Sequence, residues 1–309
     1  MEVGTIRTAQ RVSGLGGNDS DRALEMIQPT TSIGRKFLVD GRWGASCMVA
    51  LYLSLFSGVV VSLQYDPAHP YYSASSLDIL APFGAFWRSL HFYASQLFFM
   101  LLLVHLLAVI VGRSYESMPF KRWLPLVLSM VAALLLLFTG YILRADSTGS
   151  SAGMIAENIL LSVPLLGGFL DSLLFSLIDE GMKRVYANHM IGLGLLWVVL
   201  SWDHLRRYRV SWRQHPVLVL ALIGFSALVP APMEPEHLGV FHINGPWFFV
   251  GLQELLRYIH PFLAGVVWPS TFVVALVLLH KQEAAIKARR FCLGWLAFYA
   301  LLSFIGLSR

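Results

Sequence analysis

Four histidines carry the most legible chemistry in this chain. His91 and His105 lie fourteen residues apart in one apolar segment, and His189 and His204 lie fifteen apart in another. At 3.6 residues per turn these separations are about 3.9 and 4.2 turns, so each pair falls near one helix face; at 1.5 Å per residue its members stand about 21 Å apart. Ionisable side chains inside a bilayer are costly and mark function. If both segments cross the membrane in the same direction, His91 is level with His189, and His105 with His204. Two levels, each with an imidazole on facing helices, suit two flat haems, each ligated above and below. One such histidine alone reads equally well as a bundle-facing residue bonded to a carbonyl, but four at matched depths do not. A bare metal centre wants three or four ligands close together, and these fall into two distant pairs.

Such pairs need membrane-spanning helices to hold them. The chain has 309 residues, 56% hydrophobic and only 13% charged, with a mean hydropathy of +0.64. A soluble domain carries about 25% charged residues, so lipid must cover much of this surface. Crossing a ~30 Å hydrocarbon core takes about twenty apolar residues. Seven segments qualify: 46–64, 90–111, 123–143, 186–204, 216–231, 262–280 and 291–307. The expected fold class is an all-α membrane protein with seven transmembrane helices. Residues 46–213 would form the four-helix bundle that carries the histidines, and 214–309 a three-helix C-terminal part.

Between the spans, residues 1–45 read as a cytoplasmic surface arm, in which 26–39 mixes apolar and basic residues suited to the membrane interface. The polar start holds no cleavable signal peptide. Residues 65–89, rich in Pro, Tyr and Ser, read as a loop. Residues 150–182 read as one or two short amphipathic helices, broken at Pro164 and Gly167-Gly168. A long loop over 232–261 contains a short helix near 247–257.

Lys and Arg set the orientation. With the N-terminus inside, the arm and the loops after the second, fourth and sixth spans hold 17 of the 23 basic residues. The N-terminus is then cytoplasmic and the C-terminus periplasmic, in a bacterial cytoplasmic membrane. The net charge of +5 is no nucleic-acid signal, because the basic residues sit at span ends. Cys47 and Cys292 read as small buried residues. No Cys-x-x-Cys-His motif attaches a c-type haem, and no cysteine cluster suits an iron–sulfur centre.

A haem also needs room and counter-charges. Gly44 and Gly58 on the first span are fourteen apart, matching the histidine spacing, and glycine lets a flat macrocycle approach a helix backbone. Propionates want cations at the membrane edge. Arg88 and Arg184 suit the outer pair, and Arg113 and Arg206 the inner pair.

These residues resemble cytochrome b of quinol–cytochrome c oxidoreductases. Arg88-Ser89-Leu90-His91-Phe92-Tyr93-Ala94-Ser95 looks like the start of that family's second helix. Trp43-Gly44 through Gly58, then Gln64-Tyr65-Asp66-Pro67, is similar to its first helix and exit. Thr139-Gly140-Tyr141 resembles the end of its third helix, and Arg184-Val185-Tyr186-Ala187-Asn188-His189 the start of its fourth. The His189–His204 spacing is the longer one of the split photosynthetic type, here fused to the three-helix part. The resemblance spans about residues 35–307. It implies two haems b, with Gly140 facing a haem, and a homodimer. It also implies an outer quinol-oxidation site beside the His91/His189 haem and an inner quinone site beside the His105/His204 haem. The substrate would be menaquinone or ubiquinone, and the partners a Rieske-type iron–sulfur protein and/or a c-type cytochrome, single- or multihaem.

The sequence also departs from that pattern. The family's outer loop carries Pro-Glu-Trp-Tyr, whose glutamate takes a quinol proton; the matching stretch here is Gly245-Pro246-Trp247-Phe248, with no acid. Glu254 and Asp146 are candidate substitutes, with Tyr141 a third candidate at the outer quinol site. Leu126 stands where the family has another haem-facing glycine. Arg42 replaces the cysteine that holds an extra haem in the split type, so none is expected. Two functions follow from the resemblance. In one, quinol is split outside, one electron leaving to the partner and one crossing through the haems. In the other, both electrons pass between quinone and a periplasmic partner without bifurcation. A dehydrogenase anchor would have fewer spans, and a proton-coupled transporter would hold no haem.

Overall fold

The computed structural model describes residues 29–174, 181–208, 210–236 and 243–309; for residues 29–33 the backbone alone is described. The described residues contain helices and no strands. The chain separates into two units, Met1–Gly41 and Arg42–Arg309. The first contains α1 (Pro29–Asp40); the rest of the expected surface arm, up to residue 28, lies outside the described residues.

The second unit holds the bundle. Five helices are long and apolar enough to cross a membrane: α2 (Trp43–Ser62), α4 (Gly84–Gly112), α5 (Phe120–Ile142), α8 (Gly181–Leu205) and α12 (Gln282–Leu307). Two shorter apolar helices, α9 (Pro216–Leu228) and α11 (Leu263–Leu278), occupy the other two expected positions. Phe56, Val199, Leu220 and Phe304 point outward at 61%, 72%, 69% and 71% exposure. In water that pattern would be an aggregation surface, whereas against lipid it costs nothing.

Helix ends extend past the apolar runs, because hydropathy registers the bilayer and not the helix. The last helix begins at Gln282, nine residues before the expected 291. Its opening Gln-Glu-Ala-Ala-Ile-Lys-Ala-Arg-Arg is made of strong helix formers. The second span likewise begins at Gly84 rather than 90 and so takes in Arg88.

Residues 65–89 are not simply a loop. They contain α3 (Pro70–Leu80), with Pro70 in the first turn, where its missing N–H and fixed φ do no harm. Ser147–Leu161 forms α6 and Gly167–Leu174 forms α7, with the break at Ser162–Leu166 as expected from Pro164. The short helix at Trp247–Leu255 is α10.

Two aromatic-rich cores hold the bundle. One joins α2, α4, α5, α8 and α10 through Phe98, Phe138, Tyr141, Trp197, Phe248 and Phe249. The other joins α4 and α5 to α11 and α12 through Ile110, Trp123, Leu276 and Cys292. There the Trp123 indole N–H donates to the Leu276 carbonyl at 2.7 Å. Cys47 and Cys292 are both buried free thiols.

Candidate haem-binding site

Packing of α2 along α4 and of α5 along α8 turns the four histidines toward one another. The His91 and His189 rings lie 6.3 Å apart between centres, and so do those of His105 and His204. The inter-ring angles are 89° and 46°. A metal–nitrogen bond of about 2.0 Å, with roughly 1.2 Å from that nitrogen to the ring centre, puts two trans imidazoles about 6.4 Å apart. Both pairs therefore fit one metal held between two imidazoles. Among the described residues no group of three or more His, Cys, Asp or Glu could hold a bare metal ion.

Neighbouring groups orient two of the rings. His91 Nδ1 lies 2.9 Å from the Ser54 carbonyl oxygen, so Nδ1–H donates there and Nε2 keeps its lone pair. The Thr139 hydroxyl donates to the Leu135 carbonyl at 2.8 Å and accepts from His189 Nδ1 at 3.0 Å. Such outer partners fix the tautomer a metal ligand needs.

His189 sits in a π-helical turn, Asn188–Gly192, inside α8. A π turn inserts one residue into an α-helix. The fifteen-residue step from His189 to His204 thus runs, in angular terms, like the fourteen-residue step on α4. That is why both pairs close to the same distance despite unequal spacing.

The glycines meet these rings directly. A Cβ added to Gly44 would lie 3.1 Å from His105 Cε1, one on Gly58 2.8 Å from His91 Cε1, and one on Gly140 2.9 Å from His189 Cε1. Three imidazoles therefore depend on a missing side chain. The fourth, His204, lines a cavity of about 420 Å³ that also takes in Leu126, Lys121, Arg122 and Arg207. Sequence reasoning missed these three cations, which are far apart in sequence from His204 or separated from it by a helix turn.

The arginines singled out from sequence are mostly engaged elsewhere. Arg88 forms a two-point ion pair with Asp78, at 2.6 Å through Nε and 2.5 Å through a terminal nitrogen. It also donates to the carbonyls of Ala231 at 2.8 Å and Pro232 at 3.4 Å. Arg113 pairs with Glu116 at 2.7 Å, and Arg206 with Asp203 at 2.6 Å, both at the surface. Arg184 donates to the Ser172 carbonyl at 3.1 Å.

Beside the His91/His189 pair lies a pocket of about 430 Å³. Phe92 and Gln96 line it from α4, Tyr141 and Arg144 from the end of α5, Pro246 and Trp247 from the start of α10, and Glu234 from the loop between. The Trp247 indole donates to Gln96 at 2.7 Å. Of the three residues expected at a quinol site, Tyr141 lines this pocket and the other two do not. The Asp146 carboxylate is fully buried and caps α6, accepting from the Gly149 N–H at 2.9 Å and the Thr148 hydroxyl at 3.0 Å. It also pairs with Arg144 and accepts from the Glu234 N–H at 3.0 Å.

Glu254 is buried on the far side of α10. It accepts from the Tyr258 hydroxyl at 2.8 Å and lies 3.2 Å from Arg257 and 3.3 Å from Arg309. Its helix turn faces α12, not the pocket, which two turns of spacing from Trp247 do not reveal. The acid that does line the pocket, Glu234, escaped sequence reasoning; its signal is an acid set among prolines, Pro230-Ala-Pro-Met-Glu-Pro235, just before the Trp247 helix.

A family model described as Cytochrome b/b6/petB matches residues 37–210. Cytochrome b of Eptatretus burgeri is 23% identical over 286 residues, covering 80% of this chain and 73% of its own length. Cytochrome b6 of Heliobacterium mobile is 26% identical over 180 residues, covering 56% of this chain and 84% of its own length. A chain of a hyperthermophilic respiratory complex III superposes with a TM-score of 0.64 at 17% identity, covering 94% of this chain and 93% of that one; at this identity the likeness speaks for the fold. The chain belongs to the cytochrome b/b6 family. Membership implies haem b, and the paired imidazoles fit it.

Proposed function

We propose that this chain is the di-haem cytochrome b subunit of a bc-type quinol oxidoreductase. The observation that carries this reading is the two pairs of facing imidazoles, each pair with a 6.3 Å ring separation, stacked about four helical turns apart. His91 and His189 hold one haem b, His105 and His204 the other. When bound, the haems supply one-electron chemistry at two depths of the membrane. Ser54 and Thr139 keep His91 and His189 in the tautomer that presents Nε2. Lys121, Arg122 and Arg207 offer the cations for the propionates at the His204 level.

The basic-residue asymmetry supports an orientation with His91 and His189 toward the outside and His105 and His204 toward the cytoplasm of a bacterial membrane. Residues 46–213 then form the di-haem bundle, and 214–309 close the outer pocket through α10. The pocket beside Tyr141 takes menaquinol or ubiquinol. Its apolar wall of Phe92, Pro246 and Trp247 packs a quinone ring. The subunit works in a membrane complex, as a homodimer, with a Rieske-type or c-type partner as the high-potential acceptor.

A second reading keeps both haems and the pocket but sends both electrons along one path. It is favoured by Gly245-Pro246-Trp247-Phe248, which carries no acid where the family has one. One experiment separates the two. The purified complex is given quinol with the inner site blocked, then a pulse of high-potential oxidant. Transient extra reduction of haem b supports bifurcation at the outer pocket; oxidation alone assigns the single-path mechanism.

A further inference from the structure

The outer pocket lacks an acid from α10, yet quinol oxidation releases two protons. We propose that Glu234 is the proton acceptor of this pocket, an inference that rests on the quinol-oxidising reading above. Among the described residues, Glu234 is the only carboxylate lining the pocket. It shares that lining with Tyr141 and Arg144, and it is solvent-exposed. A proton acceptor at such a site needs contact with the substrate on one side and with water on the other, and this position offers both. Glu236, two residues on, is not part of the lining.

The loop that carries Glu234 is pinned residue by residue. The Tyr93 hydroxyl donates to the Pro230 carbonyl at 3.2 Å, and the Ala231 N–H donates to the Ser89 hydroxyl at 2.8 Å. Arg88, locked to Asp78, holds the carbonyls of Ala231 and Pro232. The Glu234 N–H donates to Asp146 at 3.0 Å, and the Pro235 carbonyl accepts from the Ser147 N–H at 3.0 Å. Prolines at 230, 232 and 235 remove backbone freedom in between. General-base catalysis requires a carboxylate fixed within hydrogen-bond reach of the hydroxyl it deprotonates, and a flexible loop would not deliver one. Arg88, Ser89 and Asp146 are thus positioning residues for Glu234.

The step balances simply. The quinol O–H bond breaks and its proton moves to a Glu234 carboxylate oxygen. The electrons leave singly to one-electron acceptors: the high-potential acceptor of the partner and, on the bifurcating reading, the haem that His91 and His189 would hold. The protonated Glu234 then loses its proton to the outer aqueous phase, ready for the second hydroxyl.

The test compares wild type, Glu234→Gln and Glu234→Asp in the assembled complex, reading quinol-oxidation rate against pH together with the haem spectrum. The expected result for Glu234→Gln is a loss of about 100-fold in rate, with the acid-side rise of rate abolished and the haem content and dithionite-reduced spectrum unchanged. Glu234→Asp should restore part of the rate and the pH dependence. A Glu234→Gln complex with the wild-type rate and pH profile would overturn the assignment. Because the rate counts quinol consumed, it is independent of where the electrons go. A wild-type complex that oxidises quinol without oxidant-induced haem reduction sinks bifurcation alone, whereas one that oxidises no quinol sinks both.

Discussion

Gly58 and His91 are in contact distance through a side chain that is not there: a Cβ on Gly58 would lie 2.8 Å from His91 Cε1. Real Cβ atoms do not sit that close, so a larger residue must push the imidazole off its partner. On the di-haem reading, Gly58→Val is expected to cost the complex one of two b haems, about half of the b-type absorbance, while the other haem stays. Gly224→Val is the control, since a Cβ there would meet no other part of the described residues within 4 Å beyond its own helix backbone. Equal haem loss in both variants would show that the close approach has no bearing on binding.

The π turn at Asn188–Gly192 predicts an unusual tolerance. Removing Ile191, which lies within that turn and is 60% exposed, should convert it to plain α-helix and leave His189 and His204 in phase. Both haems are expected to remain. Inserting one alanine after Ile191 should rotate His204 by about 100° relative to His189 and release one haem. Pyridine haemochrome counts per chain decide the matter; two haems in the insertion variant would refute it.

Arg88 distinguishes anchoring from propionate binding. Replacing it with Ala leaves Asp78 unpaired and frees the carbonyls of Ala231 and Pro232. Losing charge-assisted hydrogen bonds of this kind costs about 2 kcal/mol. The expected phenotype is a slower outer-pocket reaction with two haems retained at unchanged midpoint potentials. A shift of the His91/His189 haem potential with normal quinol turnover would assign Arg88 to the haem instead.

Asp171 on α7 gives a pH dependence. It is only 7% exposed, and one carboxylate oxygen has no hydrogen-bond partner among the described residues. Burial, reinforced by the nearby Glu157 and opposed by Arg184, raises its pKa above the usual carboxylate value of 3.8. Folding therefore favours the protonated form. The group's contribution to stability is complete at low pH and is lost as pH climbs from the unfolded value through the raised one. Asp171→Asn should raise the melting temperature of the complex by a few degrees at pH 7, with the gain shrinking as pH is lowered. A gain that is constant with pH would point to packing rather than ionisation.

How far sequence reaches can be judged at particular residues. The four histidines were legible because their chemistry and their period are both local to a helix, and the structure closes both pairs. The spans were legible for the same reason, though their ends were not, since charged helix formers such as those at 282–290 continue a helix beyond the bilayer. Helix α3 was hidden by its Pro, Tyr and Ser content, although Pro70 is a good first-turn residue. The outer pocket was mostly illegible. Whether Glu254 faces the pocket or α12, and whether Asp146 is free or holds a loop, depends on contacts between segments some 50 to 150 residues apart. Glu234 becomes visible only once residues 230–236 are laid over α4 and α5.

Helix α9 has a further consequence for energy conversion. Its 13 residues rise about 20 Å, well short of the ~30 Å hydrocarbon core. The irregular backbone at residues 230–235 has its polar groups hydrogen-bonded to Tyr93, Ser89, Arg88, Asp146 and Ser147, as backbone near membrane depth requires, and Glu234 on it is exposed. On the proposed reading, the aqueous boundary would dip toward the level of His91 and His189 at this point. A proton released there would move through little of the transmembrane voltage, and the electrogenic work would fall on the electron passing between the two proposed haem levels.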